Sequence, residues 1–133
     1  MSDDIRVLIR SNPDIVTARQ QGRALAARTG FDATDVTLIA TAISELARNI
    51  VSYACQGEII LRVLERANGK GVMIISRDSG PGIRSVDDAM RDGYSTSGGL
   101  GLGLPGVRRL VDEFTIESVP GRGTMVRVTK WLR

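Results

Sequence analysis

Glu58-Ile59-Ile60-Leu61-Arg62-Val63-Leu64-Glu65-Arg66-Ala67-Asn68-Gly69-Lys70-Gly71-Val72-Met73-Ile74-Ile75-Ser76 reads as two β-strands joined by a turn. Ile, Leu and Val crowd Glu58 to Glu65 and return from Val72 to Ser76, and Asn68-Gly69 is a hairpin signal. Downstream, Thr115 to Val119 and Thr124 to Trp131 flank Gly121-Arg122-Gly123 and read as a second hairpin. Upstream, Ile5, Val7 and Ile9 alternate with Arg6 and mark a short first strand. Between that strand and the first hairpin lie two helices. Asn12 caps the first and Pro13 suits its opening position; Ile15, Ala18, Gly22, Leu25 and Ala26 recur at helical spacing until Gly30 closes it. From Asp35 to Ala54, the residues Val36, Ile39, Ala40, Ile43, Leu46, Ala47, Ile50 and Ala54 form one apolar face over about five turns, with Glu45 and Asn49 on the other side. A short helix is expected over Ser85 to Arg91, and a third helix from near Pro105 that ends before Phe114, with Val107, Leu110 and Val111 facing the core. Consecutive hairpins imply a mostly antiparallel sheet with the helices gathered on one face: an α+β, two-layer α/β sandwich.

Composition narrows the chemistry. A chain of 133 residues, 42% hydrophobic and 25% charged, has the balance of a single globular domain spanning residues 1–133. Histidine is absent, which excludes Ser-His-Asp and Cys-His nucleophile systems and any autophosphorylating histidine in this chain. The one cysteine, Cys55, cannot close an intrachain disulfide, removes CxxC zinc schemes, and is expected to be a small buried filler without a catalytic role. With 18 basic and 15 acidic residues the net charge is +3. Charges of both signs are scattered and no basic cluster interleaves with aromatics, so no nucleic-acid partner is expected. Lys70 and Lys130 are the only lysines and neither lies in a P-loop motif. No apolar run approaches 18 residues and Met1-Ser2-Asp3-Asp4 lacks the features of a secretory signal; the expectation is a cytoplasmic protein with no membrane partner.

Three sets of residues carry candidate chemistry. Gly101-Leu102-Gly103-Leu104-Pro105-Gly106 matches GxGxxG, but the dinucleotide fingerprint needs a preceding strand within a βαβ unit, and Tyr94 to Gly99 is polar and glycine-rich. What survives is the mechanism: glycines let backbone amides approach phosphate oxygens, and a following helix N-terminus adds partial positive charge. A plain surface loop is the alternative. Asp78 heads a second glycine turn, Asp78-Ser79-Gly80-Pro81-Gly82, at the end of an apolar strand. Its carboxylate could accept from an adenine amino group, or from its own backbone in an Asx-turn. Glu45 and Asn49, four residues apart, share one stripe of the second helix. Asn49 could give magnesium one neutral oxygen while phosphates and waters complete its shell, and Glu45 could take the proton of a hydroxyl. The alternative is a solvated helix face.

In this order, ExxxN on a long helix, Asp78-Ser79-Gly80-Pro81-Gly82-Ile83 after a strand, the lid-like Ser97-Gly98-Gly99-Leu100-Gly101-Leu102-Gly103-Leu104, and Gly121-Arg122-Gly123-Thr124 resemble the GHKL (Bergerat-type) ATP-binding superfamily. Small size, together with Thr41 to Ile50 and Asp92 to Phe114, is similar to its anti-sigma kinase branch, and there to the serine/threonine switch kinases of stressosome partner switching. The resemblance implies Glu45 as general base, Asn49 as Mg2+ ligand and Asp78 as the carboxylate that reads adenine. Gly80 and Gly82 would shape the adenine pocket, Gly99, Gly101 and Gly103 would cradle the phosphates of ATP, and Thr124 would lie near the adenine. It further implies phosphorylation of serine or threonine on STAS-domain proteins, antagonist and scaffold, which otherwise sequester the kinase. The released kinase would then activate an output protein such as a PP2C-type phosphatase. Two other functions stay open: a nucleotide-gated binding module, and an anti-sigma kinase that holds a sigma factor itself. Relatives of the latter sort often carry histidine after the asparagine and arginine in the lid, where this chain has Ser52-Tyr53 and Ser95-Thr96-Ser97.

Overall fold

The computed structural model describes residues 4–80, 90 and 103–133. Strand β1 (Ile5–Ile9) leads into helix α1 (Asn12–Thr29), then α2 (Ala33–Asn49), a π-helical segment (Ile50–Ala54), β2 (Gly57–Arg66) and β3 (Gly69–Asp78). Helix α3 (Gly103–Leu110) and strands β4 (Glu113–Val119) and β5 (Gly123–Trp131) follow. The five strands form one sheet in the order β1-β2-β3-β5-β4, and every neighbouring pair is antiparallel. Alternation along the strands sends Val7, Ile9, Ile59, Leu61, Val72, Ile74, Val126 and Val128 to one face, where they join Ala18, Leu25, Ile39, Ile43 and Leu46 of the helices in one core. The opposite face carries Arg6, Glu58 and Arg77, with Glu58 bridging the two arginines. This is the expected two-layer α+β sandwich, with the helical layer on one side of an open antiparallel sheet.

Local chemistry explains where elements begin and end. The first helix is capped one residue earlier than Asn12: Ser11 is the N-cap, and the Asp14 carboxylate accepts from the amides of Arg10 and Ser11. Asp32 caps α2 through the Asp35 amide at 2.8 Å. The β2–β3 turn is Ala67-Asn68, because Arg66 pairs with Gly69, a register that sets Leu61 opposite Ile74 and Val63 opposite Val72 on the core side. Helix α3 starts at Gly103, two residues before Pro105. The short helix expected over Ser85 to Arg91 falls, apart from Met90, outside the described residues.

The largest departure concerns the second helix. Its α-helical part stops at Asn49 and Ile50–Ala54 continue as a π turn ending at Cys55, which has φ 68°. The wider turn keeps Ile50 in the core, 1% exposed, and puts Tyr53 at the surface. Cys55 is exposed rather than buried, since the chain reverses there to enter β2. Nor is α2 buried on one face alone: Ala42, Ser44 and Glu45 are buried too, because α1, α3 and the sheet all pack on it.

The end of β5 is clasped to the α3–β4 junction. Asp112 accepts from the Trp131 amide at 2.7 Å and pairs with Arg133, while Arg66 stacks 3.7 Å above the Trp131 ring. Burial alone would raise the Asp112 pKa, but the Trp131 amide, Arg133 and Lys130 outweigh it and hold the carboxyl below the ordinary aspartate range. A carboxyl depressed in the folded state stabilises the fold above its unfolded pKa of about 3.9 and loses that contribution as pH falls. Asp112→Asn should therefore flatten the acid limb of a stability-versus-pH curve measured by urea unfolding, with the gap from wild type closing below about pH 4.

Candidate active site

Glu45 lies on α2 where the helix meets α3. The residue is 6% exposed, so the carboxylate is no part of a solvated helix face. One oxygen, Oε1, is ion-paired with Nη1 of Arg48, and the other, Oε2, accepts from the Gly103 amide at 3.4 Å. The first residue of α3 is thus tied to the carboxylate. Asn49, one turn further along, is the last residue of α2 and is half-buried at the entry to the π turn. A π turn of this kind widens the backbone and recurs at functional sites. Among the described residues no group of three or more His, Cys, Asp or Glu could hold a metal. A cation here would take a single carboxamide oxygen from Asn49 and most of its ligands from phosphates and water, a donor set that suits Mg2+ bound with a nucleotide.

Asp78 ends β3. Its Oδ1 accepts from the Gly80 amide at 2.9 Å and from the Thr124 amide at 3.3 Å. The Asx-turn is therefore present, and it occupies one oxygen only: no described residue donates to Oδ2. The Thr124 side chain itself is held by Ser118, through a hydroxyl–hydroxyl hydrogen bond of 2.8 Å. Three glycines make room for Asp78. A Cβ on Gly57, its cross-strand partner, would lie 3.0 Å from Asp78 Cβ, and one on Gly80 would strike Ala54 of the π turn. Gly123, at φ 122°, brings β5 so close that a Cβ would run into the Asp78 carbonyl oxygen. Gly123→Ala should consequently cost about 1–3 kcal/mol in urea unfolding, because the obstacle is backbone that carries Asp78 and cannot move aside as a side chain could.

Of the residues singled out in the sequence, the structure brings Glu45 together with Gly103, and Asp78 with Gly80 and Thr124. Gly82, Gly99 and Gly101 lie outside the described residues. Arg48, Gly57 and Gly123 were not among the site candidates. Gly123 sits in the Gly121-Arg122-Gly123 turn and carried a sequence signal as a turn residue, whereas Arg48 and Gly57 carried none. A groove of about 330 Å³ opens beside Asp78, lined by Leu8, Arg10, Glu58 and Arg77 among others. Strand alternation places that lining on the sheet's outer face, away from Glu45.

Residues 10–130 match the family model described as a histidine kinase-like ATPase domain. The serine/threonine-protein kinase RsbT of Bacillus subtilis (strain 168) is 52% identical over 133 residues, covering all of both chains. The anti-sigma F factor of Thermoanaerobacter sp. (strain X514) is 30% identical over 119 residues, 86% of this chain and 83% of that one. The RsbU and RsbW domains of Rv1364c from Mycobacterium tuberculosis share the fold at a TM-score of 0.66 and 24% identity, over 97% of this chain and 32% of theirs. The chain belongs to the histidine kinase-like ATPase domain family and, within it, to the RsbT-type serine/threonine-protein kinases, ATP-dependent enzymes by class.

Proposed function

We propose that this protein transfers the γ-phosphate of ATP to a serine or threonine of STAS-domain partner proteins and, once released from them, activates a downstream output protein such as a PP2C-type phosphatase. The observation that carries the reading is the buried Glu45 carboxylate, held at the first residue of α3, which directly follows the glycine-rich segment. A carboxylate so placed can take the proton of an incoming hydroxyl while the hydroxyl oxygen bonds to the γ-phosphorus, the β–γ bond breaks and ADP leaves.

Adenine would be read at Asp78 through Oδ2, the oxygen left over by the amides of Gly80 and Thr124. Glycines 99, 101 and 103 would present amides to the phosphates, and α3 would add the positive end of its dipole. Asn49 would hold Mg2+, which when bound screens the charge between the phosphates. Among the described residues no helix is long and apolar enough to cross a membrane. We place the enzyme in the cytoplasm, where ATP and such partners meet.

The reading is tested by intact-mass spectrometry of a purified STAS-domain protein from the same organism after incubation with Mg-ATP and this chain. A single phosphate adduct on serine or threonine is expected. A STAS protein that binds but never gains mass would leave a nucleotide-gated binding module, and capture of a sigma factor in place of the STAS protein would indicate direct anti-sigma activity.

A further inference from the structure

We infer that Arg48 is a positioning residue for phosphoryl transfer, fixing the orientation of the Glu45 carboxylate; the inference rests on the reading of Glu45 as base. The Glu45 side chain is 8% exposed, whereas that of Arg48 is 40% exposed. The arginine therefore keeps part of its guanidinium in water and reaches inward to meet a carboxylate that water scarcely touches. A carboxylate removed from water needs compensation by charge and hydrogen bonds. The only other described donor is the Gly103 amide at 3.4 Å, near the long limit of a hydrogen bond. Arg48 thus supplies the single positive charge bonded to Glu45 among the described residues.

Geometry adds a second role. Residues three apart share one helix face, so the pair forms within α2 without help from another element. One donor on each oxygen fixes the plane of the carboxylate. Each oxygen keeps a second lone pair, so a substrate hydroxyl can still donate to it. Without Arg48 the carboxylate can swing about the Gly103 contact, and alignment with an incoming hydroxyl is lost. Arg48 bonds neither to Asp78 nor to Thr124, the residues assigned to adenine, so ATP binding has no reason to change.

The test is phosphate transfer to the STAS-domain protein, in Mg-ATP, by wild type, Arg48→Met, Arg48→Lys, Glu45→Gln and the double variant Glu45→Gln/Arg48→Met. Methionine keeps much of the apolar stem and removes the charge. Arg48→Met should lower kcat by about 10–100-fold, the size of effect seen when a partner that orients a metal-ligating side chain is lost, with KM for ATP unchanged. Arg48→Lys should recover most of the loss. The double variant should be no slower than Glu45→Gln alone, since the arginine acts through the carboxylate. Wild-type turnover in Arg48→Met, or a double variant slowed by the product of both single effects, overturns the inference. Full turnover in Glu45→Gln would instead overturn the base reading. A urea-unfolding cycle over wild type and the three charge-removing variants reads the pair without any acceptor: Arg48→Met should lower the midpoint more with Glu45 present than in the Glu45→Gln background. Equal shifts in both backgrounds would show that Arg48 does not hold Glu45, and the inference falls whatever the kinetics.

Discussion

Glu45→Gln should bind ATP as wild type does and transfer phosphate about 10²–10⁴-fold more slowly, the range for removing a general base. Glutamine keeps an oxygen for the Gly103 amide and nearly the same volume, so the contact between α2 and α3 survives. What disappears is a group able to accept the hydroxyl proton. Single-turnover phosphate transfer, set beside calorimetric titration with ATP, separates the two quantities. Undiminished turnover would reduce Glu45 to a structural link between helices.

Asp78→Asn should have the opposite signature, with affinity lost first. The Gly80 and Thr124 amides both donate to Oδ1, and a carboxamide can satisfy them only with its own oxygen in that place. Its NH2 group must then stand where Oδ2 stood, and two donors would face each other across the adenine amino group. Leaving such a buried group unmatched costs about 1–3 kcal/mol, roughly five- to 150-fold in binding. The local fold is expected to persist, because both amide contacts are retained. Wild-type affinity by calorimetry would end the assignment of Asp78 to adenine.

Periodicity made the layers legible. The five strands, the two long helices and the third helix all follow from alternation and helical spacing, and the antiparallel order follows from two hairpins. Four details escaped for identifiable reasons. The π turn at Ile50–Ala54 preserves the apolar positions of a helix, so a pattern of side chains cannot distinguish it from continued α-helix. The Asp78 carboxylate is held by backbone amides and crowded by glycines from β2 and β5, and an amide donated to it from 46 positions away leaves no mark in the donor's residue type. Glu45 and Asn49 were visible as a spaced pair, but the burial of Glu45 depends on α3, whose packing the spacing cannot report. Arg48 carried no sequence signal, since arginines are scattered along the whole chain. Its role emerges only where the carboxylate beside it is enclosed.

The strand order has a consequence for assembly. Strand β5 is late in sequence yet lies inside the sheet, between β3 and β4. Until residues 123–131 join, β3 presents a bare edge of unpaired backbone, and Asp78 lacks the amide donated by Thr124. During synthesis, therefore, α1, α2 and the first hairpin can gather early, but Asp78 holds both of its amide donors only after the final pairing closes. A nucleotide bound at Asp78, as proposed, would favour the completed fold over partly paired chains and so act as a clamp on the last step of folding.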